Sequence, residues 1–299
     1  MARRRRGRKL DGWLILDKPT GLTSAQAVAA VRRLTGARKA GHAGTLDPLA
    51  SGVLPIGLGE ATKTMAFITG AGKQYDVTVA WGEARDTDDA EGTVTRTSPV
   101  TPEPAAIAAA LPSFTGTIDQ TPPAFSAIKI AGRRAYDLAR GGQAVAPAPR
   151  RVVIEALELV DHDAAGRTSR LHVACGKGTY VRALARDLAR ELGTCGHVVG
   201  LRRTRVGPFD RTHAISLEKL EALSHSARAE EYVLPVMTAL ADIPALAVTE
   251  HEADRLRHGQ SLRLPTANDG TVCVTVGGAP VAIADATQGI VQPLRVFNL

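Results

Sequence analysis

The chain has 299 residues, 44% of them hydrophobic and only 4% aromatic, so it can bury a full core built from small aliphatic side chains and has the length for two domains. Its net charge of +7 points to an acidic partner, nucleic acid being the commonest, and the surplus is uneven: residues 240–299 hold four arginines against six carboxylates, a net −2, which leaves +9 on residues 1–239. Three cysteines without a CxxC pair and eight histidines without HExxH spacing argue against a disulfide framework and the common zinc motifs, and no apolar run approaches the roughly 18 residues of a membrane span, so a metal-free cytoplasmic protein is expected.

Residues 1–10 read as a disordered basic arm, either solvated or in contact with RNA; the run Arg3 to Lys9 lacks the apolar segment of a secretory signal. Gly12 to Leu16 reads as a short strand with Lys18-Pro19 at its exit. Thr23 or Ser24 then caps a helix with Ala25, Val28, Val31 and Leu34 at near-helical spacing. The stretch Gly41 to Leu54 places one carboxylate, Asp47, among three glycines and small residues, directly before a proline. Such a loop lets a planar ligand come close to the backbone and presents a group instead of filling a core. Taken alone, Asp47-Pro48 is also a good helix start, with Asp as N-cap and Pro at the first helical position. A hydrolase triad of His42, Asp47 and Ser51 has no nucleophile-elbow pattern behind it.

Tyr75 to Trp81 alternates as a strand does. Asp86 to Gly92 lacks the full calcium loop with its terminal ligand and reads as a solvated acidic turn. A helix is expected near 104–111 and a mobile loop over 141–149. Between them Phe125, Lys129, Arg133, Arg134, Tyr136 and Arg140 mix cations with rings, which suits phosphates and unstacked bases; an ordinary amphipathic helix-turn is the alternative. Strands are expected at 151–160 and 170–175. A helix from about Thr179 to Leu192 puts Val181, Leu184, Leu188 and Leu192 on one face and Arg182, Arg186 and Arg190 on another, a row that is ordinarily solvated. A strand follows at 197–206 and a helix near 216–224. Past a Pro-punctuated stretch at 235–244, a short helix at 251–257 sits among strand-like runs at 261–264, 271–276, 280–284 and 290–297. Strands and helices without regular βαβ repetition make the class α+β.

The stretch GHAGTLDPLASGVLPIGLGEATK resembles the signature loop of the TruB family, the bacterial tRNA pseudouridine-55 synthases. Trp13–Ser24, Lys177–Arg182 and Gly200–Arg203 resemble further motifs in the family's order, and Thr121–Ala127 resembles the start of its RNA-gripping insertion. The resemblance covers roughly residues 11 to 210. It implies a catalytic domain of pseudouridine-synthase type over 11–238, built on a mixed, mainly antiparallel sheet, with the insertion at about 120–150. A small PUA-like RNA-binding β-domain would fill 239–299. It implies an isomerase that converts uridine 55 in the T arm of tRNA to pseudouridine by base flipping, without metal or cofactor, as a monomer.

The resemblance also assigns roles. Asp47 is the nucleophile, attacking either the uracil ring or the sugar carbon, and Arg182 keeps it ionised and aimed. Tyr75 stacks on the target base and serves as general base. Leu201 helps exclude water, and His42 fills the place left by the flipped nucleotide. Lys18 matches a family lysine near the site and is a candidate for RNA contact; Phe125 and Tyr180 contact the RNA, and Lys63 and Lys129 join them mainly on charge. The same surface also suits a tRNA-folding chaperone without required catalysis, from which the enzyme is separated by Asp47→Asn. A guide-RNA-directed synthase is disfavoured by the short C-terminal domain.

Overall fold

Gly12–Lys18 is an almost unbroken apolar run and forms a strand, β1, buried along nearly its whole length inside a sheet. It belongs to a computed structural model that describes residues 7–126, 128–130, 133–135, 138, 141, 147–223 and 227–299. Helix α1 (Ser24–Thr35) starts at Thr23, which closes a capping box with Gln26, and ends at Gly36 with a left-handed φ of 66°. Then come β2 (Ala40–His42), β3 (Ser51–Leu58), α2 (Met65–Gly70), β4 (Lys73–Trp81) and a hairpin of β5 (Glu83–Arg85) and β6 (Val94–Thr97). Helix α3 (Pro104–Ala110) and β7 (Gly116–Gln120) lead to a two-residue ribbon, β8 (Lys129–Ile130) with β9 (Arg133–Arg134). A long hairpin, β10 (Arg150–Asp163) and β11 (Thr168–Cys175), precedes α4 (Val181–Glu191) and β12 (Gly196–Val206). Short strands β13 (Phe209–Asp210), β14 (Ile215–Ser216) and β15 (Val233–Leu234) surround α5 (Leu217–Leu223).

Eleven strands make one sheet along β14-β1-β3-β12-β4-β11-β10-β7, with β13 on β12, β15 on β1 and β2 on β3. Only β1/β14 and β3/β12 run parallel, so the expected mixed, mainly antiparallel α+β class holds. The register places Gly52 of β3 opposite Arg203 of β12, and Arg203 opposite Tyr75 of β4. Three distant segments are thus brought into one row near the middle of the sheet. Helices α1, α3, α4 and α5 contribute Val31, Ile107, Leu184, Leu188 and Leu220 to one core with Leu14, Leu16, Val77 and Val79.

A second sheet of five strands runs β16 (Ala245–Ala247), β18 (Gly270–Val276), β19 (Ala279–Thr287), β20 (Ile290–Val296) and β17 (Leu262–Arg263). Helix α6 (Glu250–Arg257) packs Ala253 and Leu256 onto it. Its other side touches the large sheet, where Cys273, Ile283 and Phe297 share a core with Trp13, Ile15, Val53 and Phe209. Lys63 Nζ ties the two sheets by donating to the Val296 carbonyl at 2.6 Å while pairing with Glu60 at 2.6 Å, so it is not the free RNA-binding cation expected from charge. Of the expected disordered arm, residues 1–6 lie outside the described residues. Residues 7–10 are held in place: the Arg8 N–H donates to the Gly36 carbonyl at 2.8 Å, and its side chain pairs with Glu230. Tyr136 and Arg140 also lie outside the described residues.

Candidate active site

Asp47-Pro48 does not start a helix; the Ala50 N–H donates to the Asp47 carbonyl at 3.1 Å and the chain turns. Neighbouring groups claim the loop's backbone before a helix can use it. Ser24 Oγ both donates to the Leu46 carbonyl and accepts from the Leu46 N–H, each at 2.8 Å. The Gly21 N–H donates to the Pro48 carbonyl at 2.8 Å. Arg203 is 1% exposed and spends its guanidinium on three carbonyls, Val53 at 2.8 Å, Gly44 at 3.1 Å and Thr45 at 3.2 Å. A planar five-donor group suits such a fan of acceptors better than an ammonium would. Lys18 is fully buried and bonds the Pro19 and Leu22 carbonyls at 2.9 and 2.7 Å, so it braces the loop's base and presents no free charge to RNA.

The loop so held presents Asp47 to Arg182, whose Nε lies 2.9 Å from Asp47 Oδ2. Asp47 keeps 37% of its side chain exposed against 7% for Arg182, so the carboxylate is the reachable partner. Three further groups fix the guanidinium. Nη1 donates to the Thr87 carbonyl at 2.6 Å and lies 3.4 Å from Asp89 Oδ2, and Nη2 donates to the Phe125 carbonyl at 3.1 Å. This corrects the expected solvated acidic turn: Asp88 and Asp89 are 8% and 3% exposed, and each faces an arginine. Burial pushes the Asp88 carboxyl above its ordinary value against the pull of Arg186. Arg186, expected in a solvated row, is likewise largely buried; only Arg190 beyond it is well exposed.

Asp47 and Arg182 line a cleft of about 300 Å³ together with Tyr75, Tyr180, Leu201 and Lys73. Tyr75 points from β4 with 7% exposure, and burial holds its phenol above the ordinary value, with the Arg203 guanidinium opposing. It is therefore a protonated phenol at neutral pH. Tyr180, just ahead of α4, is fixed through its backbone, accepting from Gln120 Nε2 at 3.1 Å and donating to Gln120 Oε1 at 2.8 Å. Lys73 Nζ donates to the Ala71 and Thr69 carbonyls at 2.7 and 3.1 Å, and burial lowers its pKa. His42 ends β2 outside the cleft lining; burial first, then the Arg203 charge, lowers its pKa and leaves it neutral at pH 7. Phe125 reaches Arg182 through its carbonyl, while the Lys129 side chain lies outside the described residues. A larger cavity of about 640 Å³, lined by Glu91 among others, shares Leu201 but does not contain Asp47; Arg202, Arg170 and Asp76 in its lining are paired with Asp17, Asp161 and His172.

The fold thus sets Asp47 of the Gly-rich loop against Arg182 of the Lys177–Arg182 segment at one cleft. The TruB family pseudouridylate synthase N-terminal domain matches residues 32–181, and the tRNA pseudouridylate synthase B C-terminal domain matches residues 182–241. The tRNA pseudouridine synthase B of Nitrobacter winogradskyi is 56% identical over 305 residues, 99% of this chain and 85% of that protein. The protein of the same name from Caulobacter vibrioides is 52% identical over 311 residues, 100% of both. The chain belongs to the TruB family. Two solved structures share the fold at 24% identity. One is an H/ACA RNP bound to a substrate RNA containing 2′-deoxyuridine, with a TM-score of 0.75 covering 100% of this chain and 92% of that one. The other is a Cbf5-Nop10-Gar1 complex, with a TM-score of 0.74 covering 96% and 84%. In this TruB-family chain the family match divides at 181/182, inside the first turn of α4, so it does not mark a structural boundary.

Reading the TruB motifs residue by residue singled out Asp47, Arg182, Tyr75, Tyr180 and Leu201, and the fold gathers all five at one cleft. It missed Arg203, although the motif holding it was in view, because its backbone acceptors are some 150 residues away. It missed Asp89, whose partner Arg182 is about 90 residues away, and Lys73, whose hydrogen bonds are local but which reaches the cleft only through the fold. Among the described residues no cluster of three or more His, Cys, Asp or Glu could hold a metal ion. No described helix is long and apolar enough to cross a membrane.

Proposed function

We propose that this chain isomerises uridine to pseudouridine in tRNA, at position 55 of the T arm, with Asp47 as nucleophile. Family membership and relatives named tRNA pseudouridine synthase B support the reaction and the substrate class. The observation that carries the site is the 2.9 Å pair between accessible Asp47 and buried Arg182 in a cleft walled by Tyr75 and Leu201.

The reaction moves ribose C1′ from uracil N1 to C5; C5 gives up a proton, N1 takes one up, and no atom is lost overall. An ionised carboxylate can assist cleavage of the N1–C1′ bond by attacking ring or sugar, without a cofactor. Arg182 is already fixed by Thr87, Asp89 and Phe125, so the carboxylate it holds needs little reorganisation when substrate arrives. Leu201 and Tyr75 limit water around the detached base, which must turn before it is rejoined. Tyr75 offers its ring face to uracil. As a base for the C5 proton it must first give up its own, since its phenol is protonated at neutral pH. A cleft of about 300 Å³ admits one nucleoside and not a stacked stem, so the target base has to flip out, at a cost of a few kcal/mol. We assign Tyr180, Phe125 and Lys129 to the RNA around that base and neutral His42 to the gap it leaves. The protein acts as a cytoplasmic monomer.

The test is pseudouridine formation in an unmodified tRNA transcript, mapped by nucleotide, for the wild type and for Asp47→Asn. Product at uridine 55 from the wild type alone is expected, with variant tRNA affinity within about twofold. Equal product from both overturns the nucleophile. No product from either, with tight binding retained, leaves the tRNA-folding chaperone.

A further inference from the structure

Asp88 and Asp89 are consecutive, yet both carboxylates meet arginines on the same face of α4. Arg182 and Arg186 are four residues apart and so stack one helical turn apart on that face. Consecutive side chains in an extended segment point to opposite sides. Asp88 departs from that geometry: its φ is +60°, in the left-handed region that residues with a Cβ rarely adopt. The backbone is pinned on both sides of it, with the Asp88 N–H donating to the Arg85 carbonyl at 3.1 Å, the Val198 N–H donating to the Asp88 carbonyl at 3.1 Å and the Ala90 N–H donating to the Val198 carbonyl at 2.9 Å. Asp89 Oδ1 is consumed by Thr87 Oγ1 at 2.6 Å and the Glu91 N–H at 3.1 Å, which leaves Oδ2 for Arg182.

Arg186 holds the other end of this device. Its Nη1 pairs with Asp88 Oδ2 at 2.9 Å, and its Nη2 donates to the Thr121 carbonyl at 2.7 Å. Asp187 orients the guanidinium through Nε at 2.8 Å. Arg182 takes its contacts from the same two segments: Thr87 and Asp89 on the acidic turn, Phe125 on the strip that starts at Thr121. Arg186 is therefore attached to both segments that set the orientation of Arg182, but itself lines no part of the Asp47 cleft.

We propose that Arg186 is a positioning residue for the isomerisation: with Asp88 and Thr121 it clamps the two segments that aim Arg182, and through it Asp47. The inference rests on reading Asp47 as the nucleophile. Its effect is on geometry, where a displacement near 1 Å is enough to cost up to about a hundredfold in rate. The Arg186 and Asp88 side chains are both nearly buried, at 12% and 11% exposure, and outside the Asp47 cleft, so the effect is expected on rate and not on affinity.

The test compares full-length Arg186→Gln, Asp88→Asn and the double variant with the wild type, measuring the single-turnover rate of pseudouridine formation and tRNA affinity separately. Each single change is expected to slow the chemical step about ten- to hundredfold with tRNA Kd within about twofold. The double variant is expected to be no slower than the worse single one, because the two side chains act as a unit. Asp88→Asn keeps size and hydrogen-bonding capacity, so it reports even where Arg186→Gln unfolds the chain. Wild-type rates in Asp88→Asn overturn the proposal, as does a loss of affinity equal to the loss of rate. An active Asp47→Asn control would instead remove the nucleophile reading, a separate failure.

Discussion

Lys18 carries a proton where a charge is costly. It is fully buried, and desolvation pushes its pKa down from 10.5 to about 8, with Asp47 pulling the other way. Below about pH 8 both folded and unfolded chains are protonated there, and the folded state bears the whole penalty. Between about 8 and 10.5 the unfolded chain still holds a proton that the folded chain has released, so unfolding takes one up and stability rises with pH. The ceiling on this gain is about 3 kcal/mol, from 1.36 kcal/mol per pKa unit. Wild type should therefore gain on Lys18→Met as pH rises from 7.5 to 10, measured as the difference in urea unfolding free energy. A difference that does not change with pH means that Lys18 keeps its proton in the folded chain throughout, with its pKa not lowered by burial. At low pH the variant still loses the hydrogen bonds to the Pro19 and Leu22 carbonyls, so the comparison reads the slope and not the absolute value.

Among the elements, the start of β3 is a tight junction between two strands. Gly52 has φ +100°, and a Cβ there would lie 2.2 Å from the Arg203 carbonyl oxygen on the adjacent strand β12. Gly52→Ala must therefore strain the backbone and part β3 from β12 together. A loss of about 3 kcal/mol is expected, lowering Tm by roughly 5–10 °C, with slower chemistry because Arg203 also holds the Gly44 and Thr45 carbonyls. A variant with wild-type Tm and rate would show that the strands part without cost. Such junctions explain what could be read from sequence and what could not. The α1 cap at Thr23, the alternation of β4 and the apolar face of α4 are local patterns, and each formed where it was expected. Apart from Asp187, next to Arg186 in the chain, the partners of Arg182 and Arg186 come from about 60 to 135 residues away, so periodicity carried no sign of them. Composition misled at the 86–92 turn: consecutive acidic residues are ordinarily solvated, and only the fold supplies the arginines that let two of them be buried.

Across the whole molecule, charge and architecture divide in the same place. The large sheet ends with β15 at Leu234, the small one begins with β16 at Ala245, and the basic surplus of +9 lies on residues 1–239 while the remainder carries −2. If tRNA lies along the large sheet, its phosphates displace counterions there, and affinity must fall as salt rises. Roughly three to five phosphate contacts would give a slope of about −3 to −4.5 in log affinity against log salt. A slope near zero rules out a tRNA surface of this kind, whatever the chemistry at Asp47. The arm can be tested in the same titration, since Arg3, Arg4, Arg5 and Arg6 account for four of the positive charges. Removing residues 1–6 should flatten the slope by nearly one for each phosphate those arginines neutralise, and leave it untouched if they are only solvated. The rate at saturating tRNA should not change in either case, because the groups that orient Asp47 all lie between Lys18 and Arg203.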